Sequence, residues 1–171
     1  MAAASAAPCA DVVLLADLVG AQVDALLSAY GARLAHVAAG AAIPGSYWGQ
    51  AEAGLLGNVV HVRADTPAHS FLHELCHFVC MDGARRRALA TDAGGSDDEE
   101  CGVCYLQVLL AERLDRFGAE RCLRDMDAWG YSFREGSARA WFDGDGAHAR
   151  AWLVARDLLD ADGAPTLRVR A

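Results

Sequence analysis

The sequence predicts an α+β fold, mostly helical with a small antiparallel or mixed sheet, on three observations. The chain has 171 residues, the size of one ordinary domain. Hydrophobic residues make up 54% and charged residues 22% of it, which is enough apolar surface for a packed core and excludes wholesale disorder. Helical apolar spacing dominates, and one β-branched segment interrupts it. We therefore expect a single domain over 1–171, with 1–10 as a candidate disordered end.

The elements follow in order along the chain. Apolar residues three and four apart over 11–39 predict one or two helices, and the β-branched run within 58–63 predicts a strand. Pro67 suits the first turn of a helix, so a helix is expected over 68–82. A polar, glycine-containing loop then leads to a second long apolar helix over about 98–117. Further helical segments are expected over 118–128 and 145–160.

Charge and hydropathy exclude two classes of partner. The net charge is −8, and all fifteen basic residues are arginines dispersed along the chain, so nucleic acid is a poor candidate. No run approaches the roughly 18 apolar residues of a membrane span, so no membrane partner is expected. The first residues lack the basic segment of a signal peptide, which favours a cytoplasmic protein.

The six cysteines leave several alternatives open. A chain of this size with a sizeable core does not need disulfides, so mostly reduced thiols are expected. Simple burial in apolar helices is favoured for the group formed by Cys76, Cys80, Cys101 and Cys104. The same four could instead make a four-thiolate metal site or include a disulfide pair.

The motif that carries chemistry is His73-Glu74-Leu75-Cys76-His77, an H-E-x-x-H sequence inside the helix expected over 68–82. Four helical residues advance about 400°, so both imidazoles project from nearly the same face, about 6 Å apart along the axis. That spacing suits one tetrahedral Zn²⁺ ion. Glu74 lies beside such an ion, where a carboxylate can act as general base and then acid.

A catalytic zinc needs a third protein ligand, and Glu99 and Glu100 open the next long helix. On a helical wheel Glu99 shares its face with apolar residues, whereas Glu100 shares its face with Cys104 and Gln107. Here the sequence resembles the zincin metallopeptidases, and specifically the gluzincin branch, in which a glutamate from a following helix completes the H-E-x-x-H site. The pattern after the motif in small members of that group slightly favours Glu99, and Gly102 would then allow close helix packing.

The resemblance implies a zincin-like fold and a zinc-dependent peptidase acting on a peptide or protein substrate. It further implies an exposed strand before the motif helix that binds extended peptide, for which 57–63 is the candidate. Tyr131 is a candidate donor to the oxyanion of the tetrahedral intermediate, although an aromatic core residue is the more frequent role. No aspartate follows either glutamate by four residues, so the residue that would orient a ligand histidine is unassigned.

The rival hypothesis from another class is a non-catalytic module, in which the same residues hold a structural zinc or the fold binds a protein partner. A closed fourth ligand, such as a cysteine sulfur, would favour that hypothesis. An open metal position would favour the enzyme.

Overall fold

The computed structural model describes residues 11–46, 49–89 and 93–171, and within these ranges it confirms an α+β fold with seven α-helices and a three-stranded mixed sheet. The strands are β1 Arg33–His36, β2 Gly54–Leu56 and β3 Val59–Val62. The helices are α1 Gly20–Tyr30, α2 Ala68–Cys80, α3 Gly83–Ala88, α4 Asp97–Ala111, α5 Gly118–Trp129, α6 Ala138–Asp143 and α7 Gly146–Val154. Residues 1–10 lie outside the described part of the chain.

The strand expected over 58–63 is confirmed as β3, but its expected place at the edge of the sheet is wrong. The strand order is β1-β3-β2, with β1 parallel and β2 antiparallel to β3. Both sides of β3 are therefore hydrogen-bonded within the sheet, and no peptide can add to it. The outer strands β1 and β2 were not predicted.

The expectation of helix throughout 11–39 is also corrected. Helix α1 ends at Gly31, which adopts the left-handed conformation (φ 72°) and donates its backbone N–H to the carbonyl of Ser28. The chain then reverses into β1, whose ladder begins with the Arg33 N–H donating to the Asn58 carbonyl. Gly31 is a local signal for the end of a helix, whereas the strand conformation of the next residues depends on pairing with β3, which is distant in sequence.

The helix expected over 68–82 is confirmed as α2, and it forms the centre of the core. Most of its residues are buried, Phe71, Leu72, Leu75 and Val79 completely. It packs most extensively on α4, which begins with Ser96 as N-cap and ends at Ala111, six residues before its expected end. Gly102 brings α4 against α7, because a Cβ at this position would lie only 2.8 Å from Trp152.

Two short helices were missed and the last one was predicted too long. Helix α3 has Asp82 as its N-cap, whose carboxylate accepts the backbone N–H groups of Ala84 and Arg85, and it lies between the helix expected over 68–82 and the expected loop. Helix α6 is likewise unpredicted, and α7 ends at Val154 rather than near residue 160. Among the described helices, none combines the length and the apolar character that a bilayer crossing requires.

Candidate metal centre

The two motif histidines lie where helix α2 faces α4. Their rings meet edge to face, with centroids 4.6 Å apart. The two Nε2 atoms approach to 3.1 Å, so both rings direct the same nitrogen to one point. The His77 side chain is 7% exposed and the His73 side chain 16% exposed. A site at this point is therefore largely shielded but reachable from one side.

Glu100 of α4 completes the cluster. Its Oε1 lies 3.2 Å from His73 Nε2, and its Oε2 lies 3.5 Å from His77 Nε2. Within the described ranges, these three residues form the one group whose potential metal ligands all lie within 4.8 Å of one another. Ligands bonded to zinc at 2.0–2.1 Å in a tetrahedron are about 3.3 Å apart, so the observed separations fit a zinc ion bound by two imidazoles and one carboxylate.

Glu99 does not share this position, and the slight preference for it as the third ligand is corrected. The Glu99 carboxylate is 4% exposed and accepts hydrogen bonds from Arg85 at 2.8 and 2.9 Å and from Arg170 at 3.0 Å. Consecutive helical residues point about 100° apart, so α4 presents one glutamate to the histidines and the other to the arginines. The sequence could not separate Glu99 from Glu100 as the third ligand, because Arg170, which binds Glu99, is 71 residues further along the chain.

Gln107 is a site residue that the sequence reasoning missed. Its Oε1 lies 2.7 Å from His73 Nδ1, so the imidazole donates its Nδ1 hydrogen to Gln107 and turns Nε2 toward Glu100. Gln107 is completely buried on α4, two turns after Glu100. A usable signal was present, since Glu100, Cys104 and Gln107 form a polar face at spacings of four and three. The unassigned partner of a ligand histidine is therefore an amide rather than a carboxylate.

His73 and Glu100 shift each other's pKa in opposite directions. Burial disfavours the charged form of His73, but its polar neighbours, Glu100 among them, outweigh burial and raise the pKa of His73 well above its usual value. Burial likewise raises the pKa of Glu100, yet the hydrogen bond and charge of His73, together with His77, lower it to about 2. The two groups are thus an imidazolium and a carboxylate near neutral pH, and a metal ion must displace the imidazolium proton.

Tyr131 lies beside the cluster. Its ring is 5.7 Å from the His73 ring in an edge-to-face arrangement. It follows α5, where Gly130 adopts a left-handed conformation and the Tyr131 N–H donates to the Met126 carbonyl, which turns the ring toward α2. Burial raises the pKa of Tyr131, so its hydroxyl is neutral and able to donate a hydrogen bond. It also stacks on Phe133, as the aromatic-cluster interpretation expects.

Glu74 is half-buried on α2 and does not belong to the ligand cluster. Helix geometry puts it about 100° from His73 and about 60° from His77 around the axis. It therefore flanks the histidines, as the role of general base requires.

Of the five cysteines in the described ranges, four are buried and Cys101 is half-buried. Cys76, Cys80, Cys101, Cys104 and Cys122 are free, and no cysteine joins a ligand cluster within the described ranges. Burial raises the pKa of each of these five thiols, which disfavours the thiolate that a metal would bind. Cys104 is nevertheless a hydrogen-bonding neighbour of His73. The favoured expectation of simple packing fits this arrangement.

His69 continues the histidine stripe of α2 but is separate from the ligand cluster. It is completely buried, and its ring packs against Trp129 at 5.3 Å and Tyr131 at 5.7 Å. Desolvation lowers the pKa of His69 to about 3, so its imidazole is neutral. It acts as an aromatic neighbour of Tyr131.

No protein-family model matches the chain, and no characterised protein or solved structure is significantly similar to it. The function is therefore inferred from the geometry of the site.

Proposed function

We propose that this protein is a zinc-dependent metallopeptidase in which His73, His77 and Glu100 hold the ion. The single observation that supports it is the cluster of His73, His77 and Glu100, whose potential ligand atoms all lie within 4.8 Å of one another and whose two Nε2 atoms are 3.1 Å apart. Two imidazoles and one carboxylate are a donor set of catalytic zinc sites, which leave one coordination position for water or substrate. When bound there, zinc polarises a carbonyl and lowers the pKa of water toward neutrality.

The chain's own residues account for the remaining chemistry. Glu74, flanking the two histidines, takes the proton of the attacking water and later delivers it to the leaving amine. Tyr131, with its neutral hydroxyl and its ring 5.7 Å from that of His73, donates a hydrogen bond to the developing oxyanion. Gln107 fixes the tautomer of His73 through the 2.7 Å contact. The substrate class is a peptide or protein, and zincin-like is the fold family that this proposal implies.

Two measurements on the same samples test the proposal. Wild type purified without added metal is expected to carry about one zinc per chain by elemental analysis, and His77→Ala is expected to lose it. His148→Ala, which removes an exposed histidine from α7, is the matched control and keeps the zinc. Wild type cleaves members of a quenched-fluorescence peptide library, whereas Glu74→Gln binds zinc without cleaving. Zinc-free wild type, or undiminished cleavage by Glu74→Gln, would refute the proposal.

One observation favours a second candidate, a structural zinc site. Cys104 neighbours His73 and would close the site if its sulfur became the fourth ligand. X-ray absorption at the zinc edge separates the candidates, since a cysteine ligand adds a zinc–sulfur distance of about 2.3 Å. The peptidase predicts only nitrogen and oxygen neighbours, unchanged in Cys104→Ser.

A further inference from the structure

An ion cluster centred on the buried Glu99 carboxylate adjoins the candidate metal centre on α4. Glu99 is the residue before Glu100, and its carboxylate is bound on both oxygens by Arg85 and on Oε2 by Arg170. Arg85 also donates to the carbonyls of Ala93 and Gly94, just before α4 begins. Two guanidinium groups therefore hold the carboxylate of the residue next to Glu100, which restrains the rotation of the first turn of α4.

Arg170 connects this cluster to the other metal-binding helix. The nitrogen of Arg170 that contacts Glu99 also donates to the carbonyl of Cys80, the last residue of α2, at 3.3 Å. The Arg170 backbone N–H donates to the Val79 carbonyl at 2.9 Å. Its guanidinium also lies over the ring of Trp152 on α7, 5.4 Å from the centroid. The Arg170 side chain thus bridges Cys80, three residues after His77 on α2, and Glu99, the residue before Glu100 on α4.

The segment that carries Arg170 is itself held in place. Arg86 donates to the Arg170 carbonyl and to the carbonyls of Phe78 and Met81 at the end of α2. Leu167 and Val169 are partly buried against the core. These contacts satisfy carbonyls that a helix end leaves without partners. They also hold the backbone at Arg170 against the end of α2.

We propose that Arg170 is a positioning residue of the metal centre: by joining Glu99 to the end of α2, it sets the rotation and distance at which Glu100 meets His73 and His77. The inference rests on the proposed metal ligands. Without the bridge, α4 can turn about its axis, and a rotation of a few tens of degrees moves the Glu100 carboxylate by ångströms relative to the imidazoles. Arg85 supplies the second restraint on the same carboxylate.

The charge of Arg170 and its positioning role predict opposite changes in zinc affinity when the side chain is removed, and this permits a decisive test. A guanidinium near a cation site repels the cation, so removing Arg170 should tighten zinc binding if charge alone mattered. If position dominates, removing Arg170 weakens zinc binding even though the local charge becomes more negative. The sign of the change therefore separates the two effects.

The experiment measures zinc affinity by competition with a chromophoric chelator and the thermal midpoint of the metal-free protein. Arg170→Met is expected to weaken zinc binding about tenfold, the lower end of the loss seen when supporting groups of a metal site are removed. Arg170→Lys keeps one charged donor nitrogen, which can still bridge Glu99 and Cys80, so it restores most of the affinity. Arg134→Met, at an 87% exposed side chain, is the control and leaves the affinity unchanged.

The absorption spectrum of the cobalt(II)-substituted protein adds a readout of ligand geometry, since a misplaced carboxylate changes the bands whereas a mere loss of stability does not. An altered spectrum in Arg170→Met with restoration in Arg170→Lys supports the inference. Zinc binding in folded Arg170→Met equal to or tighter than in wild type would overturn it and leave the proposed function standing. Wild type that binds neither metal would overturn the proposed function and this inference together. If Arg170→Met does not fold, the comparison is made between Arg170→Lys and Arg85→Lys.

Discussion

Removing the Glu100 carboxylate from the metal-free protein should change how stability depends on pH. The pKa of Glu100 falls from 4.5 to about 2, because the hydrogen bond and charge of His73 outweigh burial. A folded-state pKa below the unfolded value contributes stability that is present above about pH 4.5 and is lost as the pH falls toward 2. A difference of about 2.5 units corresponds to about 3 kcal/mol at roughly 1.4 kcal/mol per unit.

His73 sets the upper limit of the same window. Its pKa is raised above 6.5, so the stability that its protonation contributes is complete below pH 6.5 and is lost as the pH rises through the folded-state value. The ion pair therefore stabilises the metal-free protein most between about pH 4.5 and 6.5. Glu100→Gln removes the carboxylate, and with it the extra stability of the metal-free protein in this pH range.

The assay is urea unfolding with a chelator present, followed by circular dichroism from pH 3 to 9. Wild type is expected to exceed Glu100→Gln by about 3 kcal/mol at pH 6, and by about half as much at pH 3. Asp98→Asn removes an equal charge from an exposed side chain in the same helical turn, and it should cost less than about 1 kcal/mol at every pH. A pH-independent gap between wild type and Glu100→Gln would refute the ion pair.

Two further predictions concern the packing and the support of the centre. Gly102→Ala should destabilise the protein by about 1–2 kcal/mol in thermal or urea unfolding, because the added methyl meets Trp152 at 2.8 Å and overpacking outweighs the gain in helix propensity. Gly20→Ala, where a Cβ meets nothing within 4 Å, should be neutral or stabilising, and equal behaviour of the two variants would contradict the close helix approach. Gln107→Leu should weaken zinc binding about tenfold or more in chelator competition, since the Nδ1 hydrogen of the motif's first histidine loses its acceptor. Unchanged affinity in Gln107→Leu would show that this contact does not orient the imidazole.

Much of the fold was predictable where local signals were strong. The motif helix and β3 are confirmed because Pro67 and the β-branched run are local signals that tertiary contacts reinforce. Strand β1 was predicted as helix, because its residues are apolar at helical spacing and only pairing with β3 decides their conformation. The short helices α3 and α6 escaped prediction because they are too short to show periodicity.

In the candidate site, too, some features follow from local helix geometry and others depend on tertiary packing. A spacing of four on one helix determines that the His73 and His77 rings share a face, whatever the rest of the chain does. Which glutamate joins them depends on how α4 is rotated, and that rotation is set by two arginines, one of them far away in sequence. The partner of His73 also lies on another helix, so Gln107 became recognisable only once α2 and α4 were packed together.

The sequence by itself therefore determined the helix that carries two imidazoles at metal-binding spacing and Glu74 beside them, since these positions depend on 1.5 Å of rise and 100° of rotation per residue. The tertiary structure alone decided that Glu100 faces the histidines, that Glu99 is bound by arginines, and that β3 lies inside the sheet. The physical reason is that these outcomes depend on the packing of elements distant in sequence, where charge pairing and burial select one arrangement from several that the local pattern allows equally.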